Sequence, residues 1–186
     1  RNEGGHLIKG QKYWRRANNV ISGGNMLLTK NPDFTLPGRW PAYFTKAKGC
    51  QLWDLNGKRF LDLYLMGVGT NILGYNNQEV NKEVKKAIDK GNISTLNSYE
   101  EIYLAEKLLN MHPWFDKCKF ARTGGEANSI AIRIARAATG KSKIAICGYH
   151  GWHDWYLSAN IKNKKLDNHA ILGLPAKGVP KNLSGT

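Results

Sequence analysis

Cysteine is scarce in this sequence: Cys50, Cys118 and Cys147 are the only three among 186 residues. Three is an odd number and no CxxC pair occurs, which excludes a disulfide framework and a cysteine-rich zinc site. A reducing, cytoplasmic setting is expected. Long apolar runs are also missing. None approaches the roughly 18 residues of a membrane helix, so no membrane partner is expected. Residues 1–20 carry too many charges for a signal peptide. Acidic residues are few, 14 Asp and Glu against 28 Lys and Arg, a net charge of +14. Such an excess raises the question of a polyanion partner, and position answers it. The basic residues are dispersed, and the densest cluster, Lys162, Lys164 and Lys165, sits in a stretch (IKNKKLDNH) that reads as a solvated loop. There is no basic helix stripe, zinc-finger spacing or RNA-binding aromatic signature, so no nucleic-acid partner is expected. Internal repeats are absent, which excludes a solenoid. The sequence opens at Arg1 without an initiator methionine and ends at Leu183-Ser184-Gly185-Thr186 without a closing element. It is expected to be a piece of a longer protein.

What is present reads as a globular α/β chain, with 41% hydrophobic residues. Residues 1–45 are polar and punctuated by Gly23-Gly24, Pro32, Pro37 and Pro41. Tyr13 to Val20 suits a short helix and the rest an extended arm. Asn56-Gly57 lies between apolar stretches, a strong hairpin signal. Gly67, Gly69 and Gly74 follow, where backbone is expected to approach something closely. From Gln78 the period becomes helical, with Val80, Val84, Ala87 and Ile88 on one face and Gly91 as a stop. Ser98 and Glu101 suggest a capping box for a helix carrying Ile102, Ala105, Leu108 and Leu109, which Pro113 closes.

Cys118 to Cys147 is the most informative stretch. CKFAR reads as a strand, TGG as a tight turn, EANSIAIRIARAAT as a helix ended by Gly140, and KIAIC as a second strand. Strand, turn, helix and strand in that order predict a βαβ unit and a parallel sheet. Thr123-Gly124-Gly125 falls where the strand hands over to the helix, where free N–H groups and the positive helix end suit a phosphate. A tight turn with glycine chosen only for its φ is the competing reading. Thr139 to Ser142 (TGKS) imitates the end of a phosphate-binding P-loop. Ala135 stands where that loop needs Gly, and the segment follows a helix instead of preceding one, which rejects it. Beyond the second strand, Tyr149 is placed to stack on a planar ligand, or to pack with Trp152 and Trp155 as a hydrophobic lid. His150, His153 and Asp154 are weak metal-ligand candidates, and no metal is expected. No nucleophile with a partnered His is defensible from spacing.

A phosphate turn followed one unit later by Tyr-His-Gly resembles the class III aminotransferases, which use pyridoxal 5′-phosphate, and most closely the glutamate-1-semialdehyde aminomutase group. ISGGN at 21–25, AKGCQLWDLNGKRFLDLYLMGVGTNILGYNNQEV at 47–80 and FARTGGEANSIAIRIARAATGKSKIAICGYHG at 120–151 carry the resemblance. It implies the fold type I (aspartate aminotransferase-like) architecture in incomplete form. Residues 1–75 would be the arm and hairpin of the small domain, and 76–186 the first part of the cofactor-binding large domain. The implied activity is transfer of an amino group between an amine or amino acid and a carbonyl substrate, in a homodimer.

By resemblance, Thr123, Gly124 and Gly125 hold the cofactor phosphate, Tyr149 stacks on the pyridine ring, and His150 lies in the cofactor site. Gly125 stands where the family usually has Thr, and Arg122 where it usually has Asn. Leu27 and Lys30 replace a Ser and an Arg that engage the aminomutase substrate, leaving Lys30 as a candidate for a substrate carboxylate. Gly67-Val68 replaces a Ser-Trp pair. These departures make a transaminase on another amine or keto substrate, such as a modified sugar, at least as good a reading as the aminomutase. The family's Schiff-base lysine and the Asp that bonds the pyridine nitrogen have no counterpart in 152–186. The chain alone is therefore expected to be inactive. A non-catalytic α/β module binding a phosphorylated ligand at Thr123–Gly125 is the alternative.

Overall fold

Gly10, Gln11, Trp14 and Ala17 recur at helical spacing and form the buried face of α1 (Lys9–Val20). The computed structural model describes residues 9–64, 66–161 and 176–185, so Lys162, Lys164 and Lys165 lie outside the described residues. Helix α1 begins before the expected Tyr13, and residues 21–42 do not run out as an extended arm. They turn back through short 3-10 segments at Leu28–Lys30 and Pro32–Phe34. Trp14 is 5% exposed, and its indole N–H donates to Asp33 Oδ2 at 3.1 Å. Gln11 Nε2 donates to Trp40 O at 2.5 Å. Gly10 lets the backbone close in, since a Cβ there would stand 1.7 Å from Pro41 O. Pattern reading misses this core because α1 packs on loop residues that carry no periodicity of their own.

Strands β1 (Phe44–Lys48), β2 (Gln51–Asp54) and β3 (Arg59–Leu61) form an antiparallel meander. The expected hairpin at Asn56-Gly57 joins β2 to β3. Of that pair only Gly57 adopts the left-handed region, at φ 81. Gly57 N–H donates to Asp54 O at 3.0 Å, and the Asp54 side chain accepts from the N–H groups of Asn56 and Lys58 at 2.8 and 2.9 Å. Asp54 is 3% exposed, and these turn donors satisfy its buried carboxylate. Gly49 and Tyr75 exchange both backbone hydrogen bonds. A Cβ on Gly74 would lie 3.2 Å from Gly49 Cα, so the expected close backbone approach occurs there. The Tyr75 hydroxyl donates to Asp62 Oδ2 at 2.5 Å, and burial, then the bond to Asp62 and its charge, push the phenol up to about 12.

Helix α2 (Gln78–Asp89) begins where its pattern predicts, capped by Asn77, whose side chain accepts from Val80 N at 3.1 Å. Its apolar face, Val80, Val84 and Ile88, is exposed among the described residues. The chain divides into two compact units between Asn97 and Ser98.

In the second unit, α3 (Glu100–Met111) lacks the expected Ser98–Glu101 capping box. The Ser98 hydroxyl donates to the Glu100 carboxylate instead of accepting from the backbone. The box forms on α4 (Gly124–Thr139), where Thr123 Oγ1 accepts from Glu126 N at 3.2 Å and Glu126 Oε2 accepts from Thr123 N at 3.2 Å. Gly140, at φ 67, ends α4 with its N–H on Arg136 O at 2.9 Å. The flanking segments 118–122 and 143–147 carry no ladder bonds, and the meander is the sheet among the described residues. A parallel ladder needs an extended neighbour within about 5 Å, and no described residue provides one. Beyond them, α5 (Asp154–Leu157) and a 3-10 turn at Ser158–Asn160 bury Tyr156, Leu157 and Ser158. No helix among the described residues is long and apolar enough to cross a membrane.

Candidate functional site

The first residues of a helix have N–H groups with no acceptor one turn earlier. In α4 the capping box decides which of these remain open. Glu126 Oε2 takes the N–H groups of Arg122 and Thr123, at 2.9 and 3.2 Å, and Thr123 Oγ1 takes that of Glu126. Ala127 N bonds Thr123 O at 3.0 Å. Gly124 and Gly125 are left with N–H groups that no described residue accepts. Thr123 Oγ1 uses a lone pair on Glu126 N, so its own proton is free to donate outward. A Cβ on Gly124 would meet nothing within 4 Å, which leaves the approach to these donors open. Two backbone donors, a hydroxyl and the positive helix end fit a phosphate monoester. Arg122 has no ion-pair partner among the described residues.

The loop after the expected second strand packs on this turn. A Cβ on Gly151, at φ 106, would lie 3.4 Å from Gly125 Cα. Asn128 Nδ2 donates to His150 O at 3.3 Å. His150 Nε2 lies 2.6 Å from Cys147 O, which only accepts, so Nε2 carries the proton. Tyr156, 3% exposed, donates its hydroxyl to Gly148 O at 3.1 Å, and burial holds its phenol above the usual range. Tyr149 stands edge-on to Tyr156, ring centres 5.8 Å apart, and is 50% exposed. Trp152 is exposed too, so these aromatics do not close over the surface as a lid. An open groove of about 810 Å³ runs along α4 from Phe120–Arg122 past Ser129 and Arg133 to His153 and Trp155.

Thr123, Gly124, Gly125, Tyr149 and His150 thus share the second compact unit, where the turn and the aromatic loop meet. Lys30 belongs to the first unit, exposed on the 3-10 turn Leu28–Lys30. Sequence reading missed Glu126, Asn128 and Ser129. The T-x-x-E spacing of Thr123 and Glu126 was a usable signal for the first. Nothing local marked the other two, because their partners lie more than twenty residues away.

The class-III aminotransferase family profile matches residues 37–178. A 3-aminobutyryl-CoA aminotransferase of Cloacimonas acidaminovorans is 35% identical over 150 residues, which is 80% of this chain and 36% of that protein. A glutamate-1-semialdehyde 2,1-aminomutase of Methanothrix thermoacetophila is 37% identical over 178 residues, 94% of this chain and 39% of the relative. The chain therefore spans under two-fifths of these relatives' lengths. Among solved structures, the FumI protein of Sphingopyxis sp. MTA144, determined with PLP, superposes with a TM-score of 0.72 at 31% identity, over 81% of this chain and 36% of that one. Such coverage is that of an incomplete fold type I architecture. The matches disfavour a non-catalytic phosphate-binding module. Their shared profile, fold and motif order place this chain in the class-III aminotransferase family.

Proposed function

We infer that this chain supplies the phosphate-holding turn and ring-stacking loop of a pyridoxal 5′-phosphate enzyme. That enzyme moves an amino group between an amine or amino acid and a carbonyl substrate. The observation that carries the reading is the packing of the Tyr149–Gly151 loop on the open α4 turn, with Gly151 against Gly125. When bound, the cofactor supplies an electron sink at its pyridine ring. The protein's own residues bind and orient it. Gly124 N–H, Gly125 N–H and the Thr123 hydroxyl hold the phosphate dianion against the helix end. Tyr149 presents a ring to the pyridine. Asn128 holds the loop through His150 O, and His150 stays fixed on Cys147 O.

Residues 1–75 are read as the arm and hairpin of a small domain, and 76–186 as the start of the cofactor-binding domain. Lys30 is the candidate partner of a substrate carboxylate, as a single ammonium without the fork of an arginine. The departures at Leu27, Lys30 and Gly67-Val68 make a transaminase at least as good a reading as the aminomutase. The full-length protein is proposed to be a homodimer, and three exposed, unpaired cysteines support a cytoplasmic setting. The test is a titration of the natural full-length protein with pyridoxal 5′-phosphate, followed by an assay for amino transfer to a keto acid. Saturable binding that weakens in Tyr149→Ala but persists in Tyr149→Phe is expected. Failure to bind the cofactor overturns the reading.

A further inference from the structure

By spacing, His153 is only a weak metal-ligand candidate, but the fold gives its imidazole a different position. Its Nδ1 lies 2.9 Å from Ser129 Oγ. That hydroxyl donates to Gly125 O at 2.9 Å and receives the Trp155 indole N–H at 3.0 Å. The ring is thus pinned through one nitrogen to the second turn of α4. Its other nitrogen reaches one turn further towards the helix N-terminus. Nε2 sits 2.7 Å from where a Cβ on Gly125 would stand, and Cδ2 sits 3.0 Å from it. No described residue bonds Nε2.

Gly125 has an ordinary helical φ, so its backbone would accept any residue. Glycine is needed there because the imidazole occupies the side-chain space. The polar group beside the open N–H donors comes from residue 153, far along the chain, in place of residue 125 itself.

We propose that His153 is a ligand of the cofactor phosphate, with Nε2–H donating to an oxygen held by the Gly124 and Gly125 N–H groups. The assignment rests on reading this turn as the pyridoxal 5′-phosphate site. Donation is available in both protonation states. In the neutral ring, the Ser129 proton turns from Gly125 O to Nδ1 and leaves the hydrogen on Nε2. In the doubly protonated ring both nitrogens donate and the ring adds a positive charge. The neighbouring acid is turned to the backbone, with Glu126 Oε2 accepting from Arg122 N and Thr123 N. His150 is occupied on Cys147 O.

The experiment compares dissociation constants of pyridoxal 5′-phosphate and of phosphate-free pyridoxal for the natural full-length protein and its variants. A charge-assisted bond lost on His153→Ala should weaken pyridoxal 5′-phosphate about ten-fold or more, while pyridoxal stays within roughly two-fold. Gly125→Thr alone should also weaken it, because the new side chain meets the imidazole. Joined with His153→Ala, it should recover affinity, since the hydroxyl then has both the space and the position. Equal losses for both ligands on His153→Ala, unchanged pyridoxal 5′-phosphate affinity, or no recovery in the double variant would overturn the assignment. Failure of the unsubstituted protein to bind pyridoxal 5′-phosphate would overturn the functional reading and the assignment together. Binding with an unaffected His153→Ala variant would sink the assignment alone.

Discussion

Asn128 donates from its side-chain amide to the carbonyl of His150 at 3.3 Å, tying the second turn of α4 to the aromatic loop. The bond links the helix that follows the Thr123–Gly125 turn to the Tyr149–Gly151 loop. It holds the loop backbone through a carbonyl, so it positions Tyr149 without using any group of the ring.

Asn128→Ala removes that tie and leaves His150 O to water or to nothing. The expected cost is about 1 kcal/mol of stability, read as a lower urea midpoint. Cofactor affinity should fall alongside it. An unchanged midpoint with normal affinity would show that the loop holds itself.

Thr123→Ala deletes the N-cap of α4 and should cost about 1 kcal/mol, again read from denaturant unfolding. Thr123→Ser restores the oxygen and should restore the midpoint. The alanine variant should also bind pyridoxal 5′-phosphate more weakly, because the hydroxyl donor is lost together with the cap.

Tyr75 provides a pH signature away from the site. Its phenol is raised from 10.0 to about 12, so the folded state holds the proton more tightly than the unfolded chain. That contribution to stability is complete below pH 10 and is lost as the pH rises through about 12. Unfolding midpoints measured across this window should fall less steeply in Tyr75→Phe than in the parent. Identical slopes would refute the raised phenol, which burial and then Asp62 produce.

Gly10→Ala separates propensity from packing. Helix propensity alone predicts a gain of about 0.5–1 kcal/mol. The structure places a Cβ at residue 10 only 1.7 Å from Pro41 O, a backbone atom that cannot turn aside. Overpacking should therefore dominate, with a net loss of about 1–3 kcal/mol in equilibrium unfolding. A stabilised variant would mean that Pro41 moves freely.

Several features could be read from residues a few positions apart, because short-range physics decides them. The Asn56-Gly57 turn, α2 from Gln78, and α4 with its Gly140 stop depend on turn chemistry, apolar periodicity and a left-handed glycine. The turn into α4 at Thr123–Gly125 was legible for the same reason. Capping was harder to assign, since Ser98–Glu101 and Thr123–Glu126 share one spacing and differ only in where the hydroxyl turns.

What spacing could not decide depends on partners brought in from elsewhere in the chain. Trp14 buries against a loop that holds Asp33, and 118–122 reads as a strand although no described neighbour pairs with it. Gly125 shows the division most clearly. Along the sequence it is a turn glycine that has lost a hydroxyl; in the folded unit its missing side chain is the space His153 fills. A hydrogen-bond pattern or an apolar stripe is written within one element, but excluded volume is set by whatever chain arrives beside it.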